Sequence, residues 1–254
     1  MTLALETIAA PRHARMALVL AALGTVATLL LVPYALQLRP VPASIAPHLP
    51  WLIAVQTLQS FALVGLAAWI GLRVGYRYGL DAPLLRRWLG EGAVIVAPNR
   101  WLLAASLGAG TAALVLAIAA LWPIEPVSAP TTTWWAGLLA STYGASTEEI
   151  LCRLLLVPLF VWCGARFFGG ASMGVYWSAI ALAALLFGAG HLPQLAMIAG
   201  HLEMSTAFEV VALNALCGIV FGWLFWRHGL EHAMFAHFSA DLVLHVAAPL
   251  AAAA

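Results

Sequence analysis

The sequence predicts an all-α fold, a polytopic bundle of about seven membrane-spanning helices. Three observations predict it. The 254 residues are 64% hydrophobic and only 8% charged, with a mean hydropathy of +0.98. A soluble domain of this length needs far more polar surface. Apolar stretches long enough to span a hydrocarbon core recur along the chain, at the roughly 20 residues that a membrane helix requires. The basic residues, which are all arginine, fall almost entirely into alternate connectors.

The spans follow in order. Met16 to Leu38, Trp51 to Leu72 and Trp101 to Ile124 contain no formal charge. The next run from Trp134 to about Ala165, from about Met173 to Gly200, from Ala207 to Trp226 and from Leu230 to Leu250. The first is too long for a signal peptide and shows no clear small-residue cleavage site, so it reads as a retained span. Proline and glycine cluster between the segments, in "RPVPASIAPHLP", "EPVSAPTTT" and "GARFFGGASMG", as connectors require. No repeat or second domain interrupts the chain, and residues 1–254 read as one integral membrane domain.

Arginine placement tests this topology independently. Arg12 and Arg15 precede the first span. Arg73, Arg77, Arg86, Arg87 and Arg100 lie between the second and third, Arg166 between the fourth and fifth, and Arg227 between the sixth and seventh. The other side carries Arg39, and Arg153 lies within a span. By the positive-inside rule the N-terminus is cytoplasmic. The lysine-free, alanine-rich composition fits a GC-rich bacterial genome, so the expected location is a bacterial inner (cytoplasmic) membrane. A net charge of +1, with no basic run, leaves no footprint for nucleic acid. The three cysteines, Cys152, Cys163 and Cys217, match no zinc-site or disulfide spacing. The eleven tryptophans sit mostly near span ends, as in an interfacial belt.

The informative residues are the ionisable ones inside the spans, each of which costs about 2.5–3.5 kcal/mol at mid-bilayer on insertion scales. Glu148 lies about 21 Å into its span, with no base in that span to neutralise it. Glu149 and Arg153, spaced i,i+4, pair along one helix face, about 100° from Glu148. In "LLFGAGHLPQL", Phe187 and His191 share a face, and Pro193 breaks or kinks the helix just past the histidine. In "MFAHFSADLVLH", His237 and Asp241 share a face. A single membrane histidine is usually a packed, hydrogen-bonded residue. Two histidines, a Glu and an Asp on three spans can instead converge on an interior cavity among the last four spans, where intramembrane polar groups belong. His237 is only about 10 Å from the start of its span at Leu230, so helix tilt is needed to bring it to the others, and a site opening toward the cytoplasm is expected.

The three motifs, "EEILCR" (148–153), "FGAGH" (187–191) and "HFSAD" (237–241), resemble those of the CAAX-protease and bacteriocin-processing (CPBP) intramembrane endopeptidases, which are similar to the type II CAAX prenyl endopeptidases. They occur in the family's order, each on its own span, over about residues 134–245. The first three spans carry no motif. The resemblance implies a protease whose substrate is a membrane-associated peptide or protein. Prenylated CAAX tails, leader peptides and C-terminal sorting anchors all fit, and a bacterial source disfavours the first. It also implies that Glu148 and His191 activate the attacking water, and that His237 and residue 241 stabilise the oxyanion or help hold a metal. Glu149, Arg153 and Phe187 support the site. Such roles are chemically sensible, because loss of water around a carboxylate favours its neutral form, as suits a base working near neutral pH.

One position departs from the family pattern. Many members have Asn at the place of Asp241, and ionised Asp cannot donate to an oxyanion as Asn can. Asp241 therefore orients His237, is protonated, or ligates a metal. A set of Glu148, His191, His237 and Asp241 is adequate for one zinc ion, so the cofactor is either none or one Zn, with the resemblance leaning to the metal-free case. "HGLEH" (228–232) spells a zinc-peptidase pattern, but that pattern needs a continuous helix, and His228 and Gly229 read as a connector. His245 follows Asp241 by four and reads as packing. His201, Glu203 and Glu209 read as ordinary polar residues near a connector. The rival function is a proton-coupled transporter using the same buried Glu, His and Asp, though the internal repeats common in such proteins are missing.

Overall fold

A computed structural model describes residues 13–91, 99–121 and 131–253, with side chains through residue 252. Arg12 and the expected end of the third span at Ile124 lie outside these residues, as does most of the connector that follows it. The described residues contain no strand. Eleven α-helical segments occur among them: α1 (His13–Leu38), α2 (Leu49–Gly75), α3 (Pro83–Trp88), α4 (Trp101–Leu121), α5 (Trp134–Tyr143), α6 (Val157–Phe168), α7 (Met173–Gly190), α8 (Leu192–Ala199), α9 (Met204–His228), α10 (Leu230–Asp241) and α11 (Ala248–Ala253).

They assemble into seven helices long and apolar enough to cross a membrane, matching the expected spans in number and order. Three spans each combine two of these α-helical segments. Two π-helical segments, Gly144–Glu148 and Ile150–Leu156, join α5 to α6, so the fourth span runs unbroken from Trp134 to Phe168. A third, Leu242–Ala247, joins α10 to α11. The fifth span bends between α7 and α8, at His191, two residues before Pro193. The ring of Pro193 lacks an N–H and disfavours helical geometry just before it, which accounts for the break there.

Close helix contacts are made through small residues, as is usual where lipid leaves no hydrophobic force between helices. α4 packs on α10 with Gly108 against the backbone of Ala236. A side chain there would place its first carbon 2.0 Å from the Ala236 carbonyl oxygen, so only glycine allows this crossing. The apolar centre of the bundle holds Val64, Leu72, Ile150, Leu154, Ile180, Phe221 and Phe225.

At the arginine-rich end, the first part of the connector between the second and third spans contacts the start of the last span. Asp81 pairs with Arg86 through both side-chain oxygens, and its backbone carbonyl accepts from the Leu230 N–H at 3.1 Å. Glu231 accepts from the Leu85 N–H at 2.8 Å. Arg86 is therefore 1% exposed, a structural cation rather than a solvated topology marker. The connector, with α3, is strapped to the start of the last span.

Removing one partner of a buried ion pair leaves the other charge uncompensated, at a cost of about 3–5 kcal/mol. Arg86→Ala is accordingly expected to lower the thermal midpoint of the solubilised protein by many degrees. The neighbouring exposed Arg87→Ala should leave it unchanged.

Candidate active site

The two adjacent carboxylates of the fourth span reach different surroundings. Glu149 is completely buried, whereas the Glu148 side chain keeps 27% of its exposure and faces a cavity. The π-helical stretches on either side of this pair widen the turn locally. π-turns are rare and are found preferentially at functional sites.

Glu149 organises the buried half of the site. Its Oε1 accepts from His237 Nδ1 at 2.7 Å and lies 3.0 Å from Arg153 Nη1. The arginine contact is an ion pair without hydrogen-bond geometry. The Arg153 guanidinium lies over the rings of Phe187 at 4.6 Å and Phe221 at 5.3 Å. Cation–π attraction of this kind gains strength when the cation is desolvated. Phe221 in turn stacks on the His237 ring at 4.7 Å and 22°. A carboxylate, a guanidinium and an imidazole thus balance one another out of water, between two aromatic walls.

The expected role for Asp241 in orienting His237 is not what the geometry shows. The hydrogen bond that fixes this imidazole comes from Glu149. Asp241 Oδ1 is 3.6 Å from His237 Nε2 and 3.9 Å from His245 Nε2, beyond hydrogen-bond reach of either. With Nδ1–H given to Glu149, His237 turns Nε2 into the cavity, where Glu148 Oε2 lies 3.8 Å away. His191 is fixed similarly. Its Nδ1 donates to the Phe187 carbonyl at 2.8 Å, so in the neutral ring Nε2 is the unprotonated nitrogen. The Phe187 ring packs edge-on against both histidines. The spacing of the Phe-x-x-x-His motif therefore serves one residue that holds His191 by its carbonyl and Arg153 by its ring.

Glu148, His191, His237 and Asp241 all line a single cavity of about 1030 Å³. It extends toward the ends of α1 and α8, where Arg39, Met197 and Ile198 contribute to its wall. The packing brings His237 beside Glu148, although the two lie at different depths along their own spans.

Among the described residues no three His, Cys, Asp or Glu side chains are grouped to hold a metal ion. The "HGLEH" pattern is structural. Gly229, at φ 92°, ends α9, and His228 and His232 sit on different helices. His232 stacks on Trp101 at 4.4 Å and accepts from the Arg100 N–H.

Residues 130–243 match the family described as Type II CAAX prenyl endopeptidase Rce1-like. The match makes this segment similar to a family of membrane proteases. It begins just ahead of the fourth span, ends just past Asp241, and contains all three motifs, bearing out their resemblance. The Rce1-like match does not favour the proton-coupled transporter. No curated protein and no solved structure matches the chain.

Several residues of this site were not singled out by sequence. Phe221 carries both His237 and Arg153, and its signal was the Gly218-x-x-x-Gly222 spacing around it, a close-packing pattern in membrane helices. Gly218 meets Ala184 of α7 and Gly222 meets Ile180, which holds Phe221 at the bundle centre. Gly144 is the second. A side-chain carbon there would lie 2.6 Å from Asp241 Oδ2 and 3.0 Å from His237 Nε2. Glu209 and Asn214 line the cavity, although Glu209 reads as a connector residue. His245 lines it too, with its ring against Tyr34.

Arg153→Met strands the Glu149 charge and is expected to cost about 3–5 kcal/mol. The double substitution Glu149→Gln/Arg153→Met should recover much of that loss. A double-mutant cycle on thermal midpoints checks this, and strictly additive losses would contradict the pairing.

Proposed function

We propose that the protein is an intramembrane endopeptidase that hydrolyses a peptide bond of a membrane-associated substrate with a water molecule activated by Glu148 and His191. The observation that carries this reading is the convergence of Glu148, His191, His237 and Asp241 on one cavity inside a bundle of apolar helices. A lone intramembrane carboxylate beside histidines is expensive, and catalysis explains its retention.

Glu148 accepts a proton from water while His191 Nε2 holds the same water by hydrogen bonding. The oxygen adds to the peptide carbonyl carbon, and the carbonyl π-electrons move to its oxygen. His237, when both ring nitrogens carry protons, aims Nε2–H at the cavity and stabilises that oxyanion, while Glu149 holds Nδ1–H. A preorganised donor of this kind contributes about 2.7–4 kcal/mol to lowering the barrier. Collapse of the intermediate breaks the C–N bond, and Glu148 passes its proton to the leaving amine. Asp241 in its ionised form steadies the Nε2–H of His237 by charge. In its protonated form it is itself a donor.

The arginine asymmetry supports a cytoplasmic N-terminus in a bacterial inner membrane, within one membrane domain. On that topology the cavity faces the side away from the cytoplasm.

Comparison of protein termini in source membranes containing the wild type or Glu148→Gln tests the activity. Termini present only with the wild type are expected, and His191→Ala should abolish them while the protein stays folded and inserted. Identical termini, with both proteins at equal abundance, would overturn the reading. Asp241 is separable from the rest. Asp241→Asn restores a neutral donor and should retain activity to within about tenfold, whereas Asp241→Ala should lose about 10²–10³-fold. Cleavage rates on a substrate found from the termini provide the measurement.

A further inference from the structure

The first two spans lie outside the family match and contribute none of the proposed catalytic groups, yet they enclose a second cavity, of about 450 Å³. Gln56 and Gln59 of α2 line it. Both are exposed on the membrane face of the bundle, and neither side chain has a hydrogen-bond partner among the described residues. Other polar groups of these helices are satisfied differently. Thr57 donates to the Ile53 carbonyl, Thr28 donates to the Gly24 carbonyl, and Thr28 and Ser60 share a hydrogen bond at 2.7 Å. Two unpartnered primary amides in a lipid-facing groove carry a desolvation cost, and a polar group on another helix relieves it.

The groove adjoins the candidate active site. Leu31, Ala35 and Leu36 of α1 and Tyr143 of α5 line both cavities. One turn of α1 is therefore the partition between them. Pro33 stands in that turn and has no N–H to bond the preceding turn, a cause of local bending. Tyr143 immediately precedes Gly144, whose missing side chain admits His237 and Asp241. A chain lying in the groove has the catalytic cavity directly behind α1.

We infer that the α1/α2 groove is a docking site for the membrane-spanning helix of the substrate, held by hydrogen bonds from Gln56 and Gln59. The inference rests on the protease reading for the identity of the occupant. A second copy of this chain would use the amides equally well, but it would gain nothing from their place beside the proposed catalytic cavity.

Binding is measurable without cleavage. The probe is a fluorescent leucine-rich peptide of about 20 residues, long enough to span, with one Asn facing the depth of the two glutamines. Energy transfer to the full chain, in its Glu148→Gln form, is followed in phosphatidylcholine vesicles. Association is expected, and Gln56→Leu/Gln59→Leu should weaken it about fivefold to tenfold, the factor for one or two interhelical hydrogen bonds. Leu52→Trp, which fills the groove and spares the amides, should weaken it as well. Unchanged association in both variants overturns the proposal. So does loss of energy transfer between two differently labelled copies of the protein in the double glutamine variant, which assigns the groove to self-association. The proteolytic reading fails on a different result, identical termini with and without Glu148, so the two failures are distinguishable.

Discussion

Everything in this bundle depends on one constraint, that a charge removed from water inside a membrane must be balanced by a neighbour. Glu149 meets it twice through one oxygen, with Arg153 on its own span and His237 on the last. The arginine completes the balance against the rings of Phe187 and Phe221 on two further helices. Four of the spans are thereby tied together by a single buried cluster. Apolar packing alone, in lipid, has no comparable preference for one arrangement of helices over another.

The cluster also sets the chemistry. Glu149 takes the proton-bearing nitrogen of His237, and the Phe187 carbonyl takes that of His191. Each imidazole consequently presents Nε2 to the same cavity, where Glu148 and Asp241 wait. The fully buried carboxylate and the one that faces the cavity are sequence neighbours. The backbone separates them, with π-helical turns on both sides of the pair. A similar turn follows Asp241. These irregular turns are costly in a helix and occur at the two places where side chains of the site must be re-aimed.

At the arginine-rich end, Asp81, Arg86 and Glu231 strap the connector after the second span to the start of the last span. At the opposite end the cavity reaches Arg39, and α1 stands between it and the groove carrying Gln56 and Gln59. Part of α1, on a motif-free span, thus forms a wall of the cavity that the motif-bearing spans line from the other sides.

The sequence by itself determined the number, order and approximate limits of the spans, because hydrocarbon thickness and backbone hydrogen bonding leave a chain of this composition little choice. It also marked Glu148, His191, His237 and Asp241 as candidates, since they are too costly in lipid to be there by default, and all four line one cavity. Tertiary structure decided what each of them touches. Several spans, α4 and α7 among them, are apolar all round, so no periodic polar face shows which side turns inward. For that reason the hold of Glu149 on His237, the place of Phe221 and the glycine gap at Gly144 were not legible beforehand.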